Sequence, residues 1–84
     1  ASPRQRVVIG ERSTELYNET VTRVQLALVQ QGLMLHEAVN GQFDRLTAKA
    51  LADYQSRNDF EATGFPDQAT LWVLFSAQSD AARS

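Results

Sequence analysis

The chain has no cysteine and only one histidine in 84 residues. Without cysteine there can be no disulfide staple, thiolate zinc site or cysteine nucleophile. A lone histidine, His36, does not make a metal cage, so neither a metal nor a cofactor is expected. No apolar run approaches the roughly 18 residues that suggest a membrane-spanning helix, and no secretory signal pattern is visible. The chain is therefore expected to be cytosolic, or cut from a longer secreted precursor. Charge of one sign is also scarce: eight basic and ten acidic residues leave a formal net charge of −2. The basic residues are scattered, and only Arg4, Arg6 and Arg12 gather loosely. A nucleic-acid binder carries a basic stripe, so nucleic acid is not an expected partner.

What is present suits one small folded domain. The hydrophobic fraction is 43%, just under the usual globular range. A chain this short buries only about 60–65% of its unfolded surface, so its core is modest. Residues 1–18 show no sustained apolar period. Val7-Val8-Ile9 is β-prone and closed by Gly10, but three residues without a partner strand are unstable. Residues 1–18 therefore read as a tail or linker, residues 19–79 as the folded domain, and residues 80–84 as a fraying terminus.

The middle reads as helices. From Glu19 to Gln31 there is no Gly or Pro, and Val21, Val24 and Leu28 recur at helical spacing, widened by Leu26 and Val29. Asn18 is the expected N-cap, and Gly32 a left-handed C-cap with Leu33 folding back onto the helix. A loop follows to Phe43, with Asn40-Gly41 as a tight turn. Asp44 is expected to cap a second helix from Arg45 to Arg57, with Leu46, Ala50, Leu51 and Tyr54 inward. Asp67 caps a third, from Gln68 to Gln78, with Leu71, Leu74 and Phe75 inward. The expected fold class is all-α, a small three-helix bundle.

The two loop-to-helix junctions repeat. Gly41-Gln42-Phe43-Asp44-Arg45-Leu46-Thr47 leads to Leu51, and Gly64-Phe65-Pro66-Asp67-Gln68-Ala69-Thr70 leads to Leu74, at a constant offset of 23 residues (64 − 41). Each part has a mechanical reason. Gly supplies a backbone angle that other residues avoid. The Asp carboxylate accepts from a free N–H of the first helical turn. The Thr returns a bond to the Asp, and the Leu one turn later faces the core.

These segments resemble the peptidoglycan-binding-domain-like family. Val21-x-x-Val24-Gln25-x-x-Leu28-x-x-x-Gly32 is similar to its opening helix. Val39-Asn40-Gly41-x-Phe43-Asp44-x-x-Thr47-x-x-Ala50-Leu51-x-x-Tyr54-Gln55 resembles its central signature, V-D-G-x-F-G-x-x-T-x-x-A-L-x-x-F-Q. Thr63-Gly64-x-x-Asp67-x-x-Thr70-x-x-x-Leu74 resembles its closing segment. Asn40, Asp44 and Tyr54 depart from the usual Asp, Gly and Phe, which weakens any transfer of ligand contacts at the first two. The resemblance implies a noncatalytic module that holds a larger envelope protein or hydrolase on peptidoglycan, in the periplasm or outside the cell. Peptidoglycan and a covalently linked catalytic or envelope domain are the partners it implies. A protein-interaction or structural domain of the same fold, without wall binding, is the alternative.

Enzyme activity is not expected. Glycan hydrolysis needs two carboxylates, one with a raised pKa, yet Asp44 and Asp67 read as caps, and Glu37, Asp53, Asp59 and Glu61 as exposed or loop residues. His36 lies in a loop without a triad partner. A wall ligand offers sugars, amides and carboxylates, which call for amide partners, a cation and an aromatic plate. Asn40, Gln42, Arg45, Lys49 and Trp72 are the candidate ligand-binding residues. Four of them have a plainer reading: Asn40 as a turn residue, Arg45 and Lys49 as solvated cations, Trp72 as core. Gln25 and Gln55 are expected to bond loop backbones.

Overall fold

The computed structural model describes residues 3–83, with side chains described through residue 77. Strand β1 (Arg4–Ile9) and strand β2 (Arg12–Tyr17) precede three helices: α1 (Asn18–Gln30), α2 (Arg45–Arg57) and α3 (Gln68–Arg83). A 3₁₀ turn at His36–Ala38 lies between α1 and α2.

The expected all-α class is thus corrected. Three helices carry a two-stranded antiparallel sheet, which makes the fold mixed. The strands pair from Arg4↔Tyr17 to Ile9↔Arg12, around a two-residue loop of Gly10 and Glu11. Gly10 has φ +62°, the angle required at the first central position of a type II′ turn. Gln5, Val7, Ile9, Arg12, Thr14 and Leu16 share the inner face, and Val7 is buried. Arg4, Arg6, Val8, Ser13, Glu15 and Tyr17 share the outer, exposed face. The irregular structure expected before the helices is replaced by a hairpin because a partner strand exists. α3 likewise continues past the expected Gln78 to Arg83; residues 1–2 and 84 of the expected tails lie outside the described residues.

The core joins Val24, Ala27 and Leu28 of α1, Ala50, Leu51 and Tyr54 of α2, and Leu74 of α3. Leu33, Met34, Phe43, Leu71, Val73 and Phe75 pack around it. Gly32 ends α1 as expected: its N–H donates to Val29 O at 2.9 Å and the Leu33 N–H to Leu28 O at 3.0 Å, the paired bonds of a Schellman motif. α2 ends in the same way through Asp59 and Phe60, but there the left-handed position, φ +62°, is held by Asp59 instead of glycine.

Three local expectations are corrected. Leu46 is 63% exposed; the inward stripe of α2 is Thr47, Ala50, Leu51, Tyr54 and Gln55, one residue out of phase with Leu46. Leu26 is likewise exposed. Asn18 is the first residue of α1 instead of its cap, and its Oδ1 accepts from Gln5 Nε2 at 2.8 Å.

Candidate functional site

Two buried glutamines build the repeated junctions. Gln25 sits in the apolar stripe of α1, fully buried. Its Oε1 accepts from the Asn40 N–H at 3.0 Å and the Gly41 N–H at 2.8 Å. Its Nε2 donates toward Asn40 Oδ1 at 3.0 Å, Gln42 O at 2.9 Å and Thr47 Oγ1 at 2.9 Å. The Thr47 hydroxyl donates onward to Asp44 Oδ1 at 2.8 Å, and the Thr47 N–H to the same oxygen at 3.0 Å. Gln55 repeats this from α2. Its Oε1 accepts from the Gly64 N–H at 2.8 Å, and its Nε2 donates to Phe65 O and Thr70 Oγ1, both at 3.0 Å. Asp67 Oδ1 caps the Thr70 N–H at 2.8 Å. Both aspartates are therefore helix caps, and both glutamines bond loop backbones, as their sequence positions suggest. Buried polar groups are costly unless paired, so these networks fix the loops to the helices.

Gln5 of β1 closes the first loop from its other side. Its Oε1 accepts from the Phe43 N–H at 2.7 Å, and its Nε2 donates to Gly41 O at 2.8 Å. The hairpin touches the second loop as well: the Arg12 guanidinium lies 4.3 Å from the Phe65 ring centroid and 3.9 Å from Asp67 Oδ2. One hairpin thus straddles both junctions.

Electrostatics at the first junction follow from this bonding. Burial pushes the Asp44 carboxyl up, but bonds from the Thr47 N–H, the Thr47 hydroxyl and the Asn40 amide outweigh it and hold the group below its ordinary 3.8. Burial raises Tyr54 above its ordinary 10.0.

The structure distributes the five candidate ligand residues. The Asn40 side chain is held within the loop by Gln25, the Gln42 N–H and Asp44. Gln42 is exposed beside it. Arg45 lines a groove of about 530 Å³ between β1 and the start of α2. Lys49, one turn on, lines a different cleft with Leu33, Met34 and the exposed Leu35 and Leu46. Trp72 is 74% exposed and forms a shallow apolar face on α3 with Leu71 and Phe75. Of the five, Arg45 alone borders the hairpin groove. Arg6 and Val8 also line it, though the sequence places both in a tail; the alternation of inner Gln5, Val7 and Ile9 with outer Arg4, Arg6 and Val8 is the signal that marks them. Among the described residues, no group of three or more His, Cys, Asp or Glu side chains could hold a metal.

Comparison with known proteins agrees with the two junctions. No curated protein and no solved structure matches the chain significantly. The family model described as "Putative peptidoglycan binding domain" matches residues 17–74, which span α1, both glutamine-held loops, α2 and the first part of α3, and leave out β1 and all of β2 but Tyr17. The chain belongs to the peptidoglycan binding domain family.

Proposed function

We propose that the chain is a noncatalytic module that holds a larger envelope protein on peptidoglycan, in the periplasm or at the cell exterior. The observation that carries this reading is the family match across residues 17–74. The chemistry of the surface supports it. Trp72 offers an exposed aromatic plate for a sugar face, a contact in which ring and sugar C–H groups stack and exclude water. Arg45 offers a guanidinium for a carboxylate, and Gln42 and Lys49 offer exposed donors. Asn40 acts indirectly, by keeping the loop in shape. Asp44 and Asp67 serve as caps, and the hydrogen bonds that hold the Asp44 carboxyl in its charged form make it a poor general acid.

The test is sedimentation with purified sacculi. The folded chain is expected in the pellet, with no soluble sugar or peptide released from the wall. Substitution Trp72→Ala should lower retention about tenfold, as loss of a buried aromatic contact does, while the melting temperature stays unchanged. Protein wholly in the supernatant would contradict wall binding and favour the interaction-domain reading.

A further inference from the structure

The outer edge of β1 is unpaired. Among the described residues the sheet has only β1 and β2, and a two-residue loop closes on a hydrogen-bonded pair, here Ile9 and Arg12. Hydrogen-bonded pairs alternate along an antiparallel ladder. Odd-numbered residues of β1 therefore bond β2, and the Asn18 N–H donating to Pro3 O at 3.0 Å continues that series. The N–H and C=O groups of Arg6 and Val8 consequently point away from β2. On that side lies the groove of about 530 Å³, bordered by Arg6–Ile9, Phe43, Asp44, Arg45 and Ala48.

Four strand residues at about 3.3 Å each make an edge of about 13 Å, the length of a short peptide. The groove's lining is net positive, two guanidinium groups against the one carboxylate of Asp44. Asp44 is tied up by Thr47 and Asn40, whereas Arg6 and Arg45 have no ion-pair partner among the described residues. The remainder of its wall is apolar, from Val7, Ile9, Phe43 and Ala48.

We propose that this groove takes the peptide arm of peptidoglycan: an extended, carboxylate-bearing stem peptide lying along β1. It pairs main-chain groups with Arg6 and Val8 by strand addition, and its carboxylates meet the guanidinium groups of Arg6 and Arg45. This rests on the wall-binding reading, and it adds a subsite built from an element outside the matched family segment.

The test is an amide-shift titration of the whole labelled chain with a soluble disaccharide-peptide muropeptide and, separately, with peptide-free glycan chains, beside sacculus sedimentation. Shifts at Arg6–Ile9 and Arg45 with the muropeptide, but not with bare glycan, are expected. The double variant Arg6→Gln, Arg45→Gln should weaken muropeptide binding about tenfold or more. Val8→Pro, which removes an edge N–H without touching the β2 ladder, should weaken it about fivefold. If sacculi retain the chain but the shifts fall elsewhere, or bare glycan binds equally well, the groove assignment is overturned and wall binding stands. If sacculi do not retain the chain, wall binding falls and the groove assignment falls with it. The wild-type titration separates these outcomes even if a variant fails to fold.

Discussion

Gly64 has the least freedom to change of the turn residues. Its φ is +74°, and a Cβ added there would lie 2.8 Å from the Ala48 carbonyl oxygen, a backbone atom. At Gly41 the added Cβ would meet Thr22 Oγ1 at 3.1 Å, a side-chain atom that can rotate away. Gly64→Ala should therefore cost about 3 kcal/mol and Gly41→Ala about 1 kcal/mol, read as the difference in urea unfolding free energy. Asp59 presents the opposite case, a non-glycine at φ +62°. Asp59→Gly should raise stability by about 0.5–1 kcal/mol. Ionisation provides a second residue-scale test. The lowered Asp44 pKa means the folded state favours its charged form, so its contribution is complete above the ordinary 3.8 and is lost as pH falls through the lower folded value. The raised Tyr54 pKa contributes fully below 10.0 and is lost as pH rises through the folded value. Melting temperatures across pH should show both limbs, with Asp44→Asn flattening the acid one and Tyr54→Phe the alkaline one.

At the scale of elements, the sequence reveals the helices and their caps because capping chemistry is local. Gly-x-x-Asp-x-x-Thr states its own geometry: both copies form the cap from the Thr N–H to the Asp, and at Thr47 the hydroxyl bonds the Asp as well. Leu46 misleads because hydrophobicity alone selects it, whereas the inner slot belongs to Thr47, whose hydroxyl links Gln25 to Asp44. A polar residue at apolar spacing (Gln25, Thr47, Gln55, Thr70) marks a clamp. The hairpin is hidden for a different reason. Its six-residue strands carry three arginines, and only pairing with each other and docking of Gln5 and Val7 justify their shape. Hairpin docking yields its own prediction. Gln5→Ala leaves the Phe43 N–H and Gly41 O without their side-chain partner and should cost about 2 kcal/mol. Amide exchange should then quicken at Phe43 while the centre of α2 stays protected.

For the molecule as a whole, a domain of this size has roughly 4–12 kcal/mol of stability, and its core is one thin layer where three helices meet. The two glutamine clamps are a large part of what makes that layer rigid. Gln55→Ala would leave the buried Gly64 N–H without its partner and take one of two bonds from Phe65 O, which keeps the Asp67 N–H, and should cost about 3 kcal/mol, enough to lower the melting temperature by well over 10 °C. The candidate ligand residues are less legible than the scaffold. Turn chemistry and periodicity locate Arg45 and Trp72 on elements, but the groove beside Arg45 exists only because β1, far off in sequence, docks on the loop before α2. Cell-wall binding by this scaffold is the proposal on which the others depend. The most direct measurement is a depletion isotherm: the wild-type chain mixed with increasing amounts of purified sacculi, with free protein quantified after centrifugation. Saturable depletion that soluble wall fragments reverse is expected. Depletion that never saturates, or is absent at every sacculus concentration, would contradict wall binding.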